Sequence, residues 1–201
     1  MTSTATADRS EFRHVLQSGT IVGAATAVAV ILFLAVSRNL SPGMVTSIAL
    51  MVIVLAGGVA AAFLPGFFAA SRTVQGVASA AGIGLWGTIT FMAIDIILLR
   101  PFRAFPWTWD AIGGGSTWWY LPIWWMLGTF VAWMGGIVTA GRAARGGDTS
   151  IRSLAIPAVG GGLGVGLGLG LGGLMFMPVA AGAGFVATLV LFALIVLARR
   201  G

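Results

Sequence analysis

The chain contains no cysteine and no lysine, a single histidine, one tyrosine and five carboxylates among its 201 residues. Each scarcity removes a chemistry. Without cysteine there are no disulfides, thiolate metal sites or cysteine nucleophiles. His14 stands before the first apolar run, so no pair of imidazoles inside an apolar segment can hold a haem or a metal. No metal and no cofactor ligated by this chain alone is expected. The motifs H-E-x-x-H and G-x-S-x-G are absent, and the phosphate-binding pattern G-x-x-x-x-G-K-[ST] fails for want of lysine; the chain is expected not to be an enzyme. The formal charge of +6 comes from eleven arginines scattered among short polar segments, without the basic stripe and interleaved aromatics of a nucleic-acid surface, so no nucleic-acid partner is expected.

What the chain has instead is apolar length. Hydrophobic residues make up 58% and charged residues 8%, against about 25% charged in soluble domains, and the mean hydropathy is +1.02. Such a chain requires a lipid bilayer. Crossing about 30 Å of hydrocarbon takes about 20 helical residues, and six runs qualify: 19–36, 44–68, 74–99, 118–140, 154–176 and 179–198. The last two follow from a length argument. Residues 154–198 carry no charge, and as one helix they would extend about 67 Å, so the chain must turn. Met177-Pro178 is the expected turn, because proline is tolerated at the start of a helix and disfavoured inside one.

The expected fold is therefore all-α, a polytopic membrane helical bundle of about six transmembrane helices. It is read as a short segment 1–18, a single membrane domain 19–198 and a tail 199–201. With six spans, eight arginines fall on one side (Arg9, Arg13, Arg72, Arg142, Arg145, Arg152, Arg199, Arg200) and three on the other (Arg38, Arg100, Arg103). The positive-inside rule then places both termini in the cytoplasm. Ala35-Val36-Ser37 resembles a cleavage site, yet the segment before the first run carries Asp8 and Glu11 and has no net charge, so the first span is expected to be retained. The all-arginine cationic set and the Ala/Gly/Val/Leu bias point to a GC-rich bacterial coding sequence, hence to a multi-pass protein of a bacterial inner membrane.

Within these runs, Gly160 to Gly173 reads GGGLGVGLGLGLGG. Period-two alternation is normally a strand signal. In hydrocarbon, however, an open strand would leave its backbone amides without partners, so the segment must be helical. On a helix Gly160, Gly164, Gly168 and Gly172 form one G-x-x-x-G stripe, and Gly162, Gly166 and Gly170 form a second on the opposite side. Both are expected to be helix-packing faces, placing this helix in the middle of a bundle or against a partner subunit.

Asp95 is the one carboxylate inside a predicted span. It is a candidate ion or proton site by default, set against interfacial pairing with Arg100 or Arg103, since it lies about 6 Å of helix from the end of its run. Six tryptophans crowd the region before and within the fourth run: Trp107, Trp109, Trp118, Trp119, Trp124 and Trp125. They fit an aromatic belt at the membrane interface or a surface that stacks on a flat lipophilic ligand such as a quinone or pigment, or docks on another subunit. Gly113 to Thr117 reads as a turn ending in a helix cap. Trp86 and Trp133 lie deeper and need partners for their indole N–H, for which Thr90 and Thr129 stand one turn away. Arg142, Arg145 and Asp148 form a polar loop suited to anionic headgroups, and His14 reads as an interfacial residue.

Two function classes survive. The favoured one is a non-catalytic accessory or structural subunit of a larger membrane complex, respiratory, photosynthetic or secretory, with the lipid bilayer, other membrane subunits or its own copies as partners. The alternative is a channel or small-solute carrier with the glycine-rich helix and Asp95 near its path.

Overall fold

The computed structural model describes residues 12–99 and 120–199. Six helices in this part are long and apolar enough to span a membrane, and no strand occurs among the described residues. They are α1 (Phe12–Asn39), α2 (Met44–Phe68), α3 (Val74–Ile94), α4 (Tyr120–Ala143), α5 (Ile151–Leu171) and α6 (Met177–Ala198), with a π-helical turn Asp95–Leu99 extending α3. The protein is an all-α, multi-pass membrane protein.

Two boundaries depart most from the sequence reading, while the ends of α1 (Asn39 for 36) and α4 (Ala143 for 140) and the starts of α5 (Ile151 for 154) and α6 (Met177 for 179) shift by two or three residues. α1 begins at Phe12 rather than at residue 19, because its first two turns are anchored by tertiary contacts: His14 Nε2 donates to the Phe68 carbonyl at 3.0 Å, and Ser18 is buried. α5 ends at Leu171 rather than at 176. The turn is made by glycine and not by the proline five residues on. Gly173 takes φ +67°, while its N–H bonds to the Gly170 carbonyl at 3.1 Å and that of Leu174 to the Leu169 carbonyl at 3.0 Å, the paired bonds of a Schellman motif. Pro178 then falls in the first turn of α6, where its missing N–H costs nothing.

α2 ends with the same motif. Ala70 N–H bonds to Phe67 O at 3.1 Å and Ser71 N–H to Gly66 O at 3.0 Å. The left-handed position, however, is occupied by Ala70 at φ 49°, a conformation that costs a side-chain-bearing residue about 1–2 kcal/mol. α3 starts at Val74, four residues after Ala70, capped by Thr73, whose side chain accepts from the Gly76 amide.

α2 is the hub of the bundle, packing against all five other helices. Around it run α1, α3, α4, α6 and α5, each against the next, with α5 contacting α6 and α2 at the end of the arc. Phe63 of α2 and Phe185 of α6 are almost fully buried, and much of the remaining core is alanine: Ala62, Ala80, Ala132, Ala140, Ala180, Ala181 and Ala193 are wholly enclosed. Such a core suits a bilayer. Lipid tails are as apolar as leucine, so helices gain by close dispersion contact, and small residues let backbones approach. A methyl group on Gly135 would overlap the Ala62 carbonyl, and one on Gly23 would come within 2.5 Å of the Gly87 carbonyl oxygen.

Candidate functional site

The glycine stripes of α5 are sorted by its position at the edge of the bundle. Gly162, Gly166 and Gly170 face inward. A Cβ on Gly162 would lie 2.5 Å from Leu55 Cδ2 and 2.9 Å from the Ala181 carbonyl oxygen; on Gly166, 2.7 Å from Ala181 Cβ and 3.0 Å from Met51 Sδ; on Gly170, 2.8 Å from Met177 Cβ. This face therefore receives α6 at backbone distance and the side chains of Leu55 and Met51 from α2. Gly161, beside the stripe, is filled by Thr188, and Gly184 of α6 returns the contact through Val165, 2.6 Å from its Cβ position.

The other stripe faces away from the chain. Gly160, Gly164 and Gly168 have no atom within 4 Å of their Cβ positions. Ile156 and Leu171, 60% and 61% exposed, border the strip. Gly172 belongs to the helix cap, its Cβ position 3.2 Å from the Gly168 carbonyl oxygen. The central helix of the chain is thus α2, not the glycine-rich one, and α5 keeps one glycine face within the bundle and turns the other outward.

Asp95 begins the π-helical turn and is 1% exposed. The preceding turn carries Phe91 and Met92, which with Ala27 and Leu99 form a buried cluster joined by Val30 and Leu34 of α1 and Trp124 of α4. Widening the last turn keeps Asp95 and Leu99 inside while Ile96, Ile97 and Leu98 face outward. Asp95 Oδ1 is enclosed, and the residue takes part in a further interaction. Such π-turns recur at functional positions in helices. Arg100 and Arg103 lie outside the described residues, as do Trp107, Trp109, Trp118, Trp119 and the Gly113 to Thr117 turn.

Of the six clustered tryptophans, Trp124 and Trp125 are described, and they diverge. Trp124 turns inward to meet Phe91 edge-to-face, with centroids 6.4 Å apart, a geometry favoured by the ring quadrupoles. Trp125 is 39% exposed. Trp86 does not use Thr90: its Nε1 donates to Thr20 Oγ1 of α1 at 3.1 Å, because α1 crosses α3 closely at Gly19 and Gly23. Trp133 is 47% exposed. The sequence signal for that crossing is the Gly19-x-x-x-Gly23 spacing, which is shorter and less conspicuous than the glycine run of α5. Among the described residues no group of three or more His, Asp or Glu side chains could hold a metal.

Compared with models of protein families, with curated proteins and with solved structures, the chain finds no match in any of the three. Function must be argued from the geometry.

Proposed function

We propose that this chain is a non-catalytic accessory or structural subunit of a larger complex in a bacterial inner membrane, with both termini in the cytoplasm. The observation that carries the reading is the outward strip Gly160, Gly164, Gly168, open across more than two turns of a spanning helix. In lipid such a strip forgoes the dispersion contacts that side chains would make, and regains them when another helix lies along it at backbone distance. The proposed occupant is a transmembrane helix of another subunit. Against the channel reading stands the place of α5 at the end of the arc, packed on α6 and α2, where its open strip faces away from its own bundle.

The test is purification in mild detergent with mass spectrometry of the proteins that accompany the chain, for wild type and Gly164→Leu. Partners retained by wild type and lost in the variant are expected. Liposomes holding the purified chain should pass no ions or small solutes. Selective flux from the chain alone, altered by Asp95→Asn, would instead establish the channel reading.

A further inference from the structure

Where α4 and α6 end and α5 begins, a cavity of about 260 Å³ opens between the three helices. Arg142, Arg145 and Arg199 line it together with Leu154, Pro157 and Phe192. Its construction starts from a missing amide. Pro157 sits inside α5 and has no N–H to give the carbonyl four residues back, that of Ser153. Arg142 Nη1 lies 3.4 Å from that carbonyl oxygen and donates to it, so the guanidinium is drawn across from α4 against the proline turn. The end of α4 is set by a further Schellman motif: Gly146 at φ +65°, with Gly147 N–H bonding to Arg142 O at 3.0 Å and Gly146 N–H to Ala143 O at 3.0 Å. Arg145 is held one turn beyond Arg142 by this cap, and Arg199 caps α6.

The carboxylate nearest in sequence leaves this charge largely uncompensated. Asp148 Oδ1 accepts from the Ser150 amide at 2.8 Å and Oδ2 from the Ser150 hydroxyl at 2.6 Å. Those bonds are the main reason its carboxyl titrates below the ordinary aspartate range, with the charge of Arg142 the smallest contribution. Among the described residues no carboxylate lines the cavity. Its walls also have a direction. The arginines occupy the helix ends, while Val138, Phe192, Leu154 and Pro157 lie one to two turns further into the spans.

We propose that this cavity binds an anionic phospholipid, with the phosphate held by Arg142, Arg145 and Arg199 and the first part of an acyl chain laid on Phe192, Leu154 and Pro157. Arginine suits the phosphate because its planar fork offers paired donors, and basic pockets between spanning helices are a recurring headgroup site. A free phosphate would satisfy the rim and leave the apolar wall unfilled. A zwitterionic lipid would bring its own cation into a cluster of three.

The experiment measures lipid retained by the full chain after transfer from vesicles containing equal parts phosphatidylglycerol and phosphatidylcholine, read by mass spectrometry of the washed protein. Wild type should enrich phosphatidylglycerol. The Arg145→Gln/Arg199→Gln pair, which spares Arg142 and its bond to Ser153, should lower that enrichment by about tenfold or more. The charge-matched pair Arg13→Gln/Arg72→Gln, at residues that do not line the cavity, should retain the wild-type level. Equal retention of both lipids by wild type, or equal losses in the two double variants, would overturn the site in favour of general surface attraction. Displacement of the lipid by inorganic phosphate at millimolar concentration would overturn the lipid assignment in favour of a free anion.

Discussion

The two glycine faces of α5 share a helix, a residue type and a four-residue spacing, yet they meet opposite surroundings. On one, a methyl group at Gly166 would press into Ala181 and Met51; on the other, the same methyl at Gly164 would touch nothing. The inward face shows glycine used for backbone approach within a fold, where dispersion contacts replace the missing side chain. The outward face has the same capacity with nothing of this chain laid against it. Periodicity therefore reports that a backbone can be approached, and does not report which neighbour approaches it.

The strongest way to break that comparison is a leucine on each face. Gly166→Leu should be the most damaging, costing about 1–3 kcal/mol or more by overpacking, seen as a lowered midpoint in tryptophan-fluorescence melts and loss of a monodisperse peak in detergent. Gly164→Leu should leave both unchanged and instead reduce accompanying partners by about tenfold, equivalent to about 1.4 kcal/mol of association. A Gly164→Leu chain that unfolds like Gly166→Leu would erase the distinction between the faces.

A milder pair sharpens it. Gly161→Ala should destabilise by about 1 kcal/mol, since its methyl would collide with Thr188, whose hydroxyl is already committed to the Gly184 carbonyl at 2.7 Å. Gly160→Ala should be neutral to slightly stabilising, because alanine favours the helix by up to about 1 kcal/mol and meets open space. Thermal midpoints of the two variants measured side by side decide this. Because the chain has no cysteine, Gly164→Cys is also a clean reporter: disulfide-linked dimers of the chain would identify the partner helix as a second copy, and linkage only to other proteins a different subunit.

The smallest effect expected concerns glycine where it is absent. Gly173 supplies the left-handed residue that ends α5, whereas α2 uses Ala70 at φ 49° for the same turn. Ala70→Gly should stabilise by about 0.5 kcal/mol, the relief of about 1–2 kcal/mol of backbone strain being offset by about 0.5–1 kcal/mol of added freedom in the unfolded chain. A small upward shift of the thermal midpoint is the expected reading.

Much of this was legible before any coordinates. The span 44–68 and the start of the next span at Val74 agree with the sequence reading to the residue, because turn-forming or charged segments flank them. α1 starts early and α5 stops early for local reasons that hydropathy does not register: a histidine bonding to the carbonyl of another helix's last residue, and a glycine able to take positive φ. Trp86 pairs with Thr20 and not Thr90 where α1 approaches α3 closely at Gly19, a crossing that hydropathy does not register. Arg142 and Arg145 read as a loop suited to headgroups, but nothing in their spacing announced that Arg199, more than fifty residues later, closes the same cavity.

The sequence alone determined the class and the count: hydrocarbon admits only structures that satisfy their own backbone hydrogen bonds, so six long apolar runs without a strand alternative become six helices. Tertiary structure decided everything that depends on rotation about a helix axis. Spans rich in alanine, valine and glycine have almost no polar face to orient them, and it is the shapes of neighbouring helices that turn Gly166 inward, Gly164 outward and Asp95 into the bundle. Dispersion contact is short-ranged and sums over surfaces distant in sequence, and for that reason which face becomes a core and which remains open emerges only when all six helices are packed together.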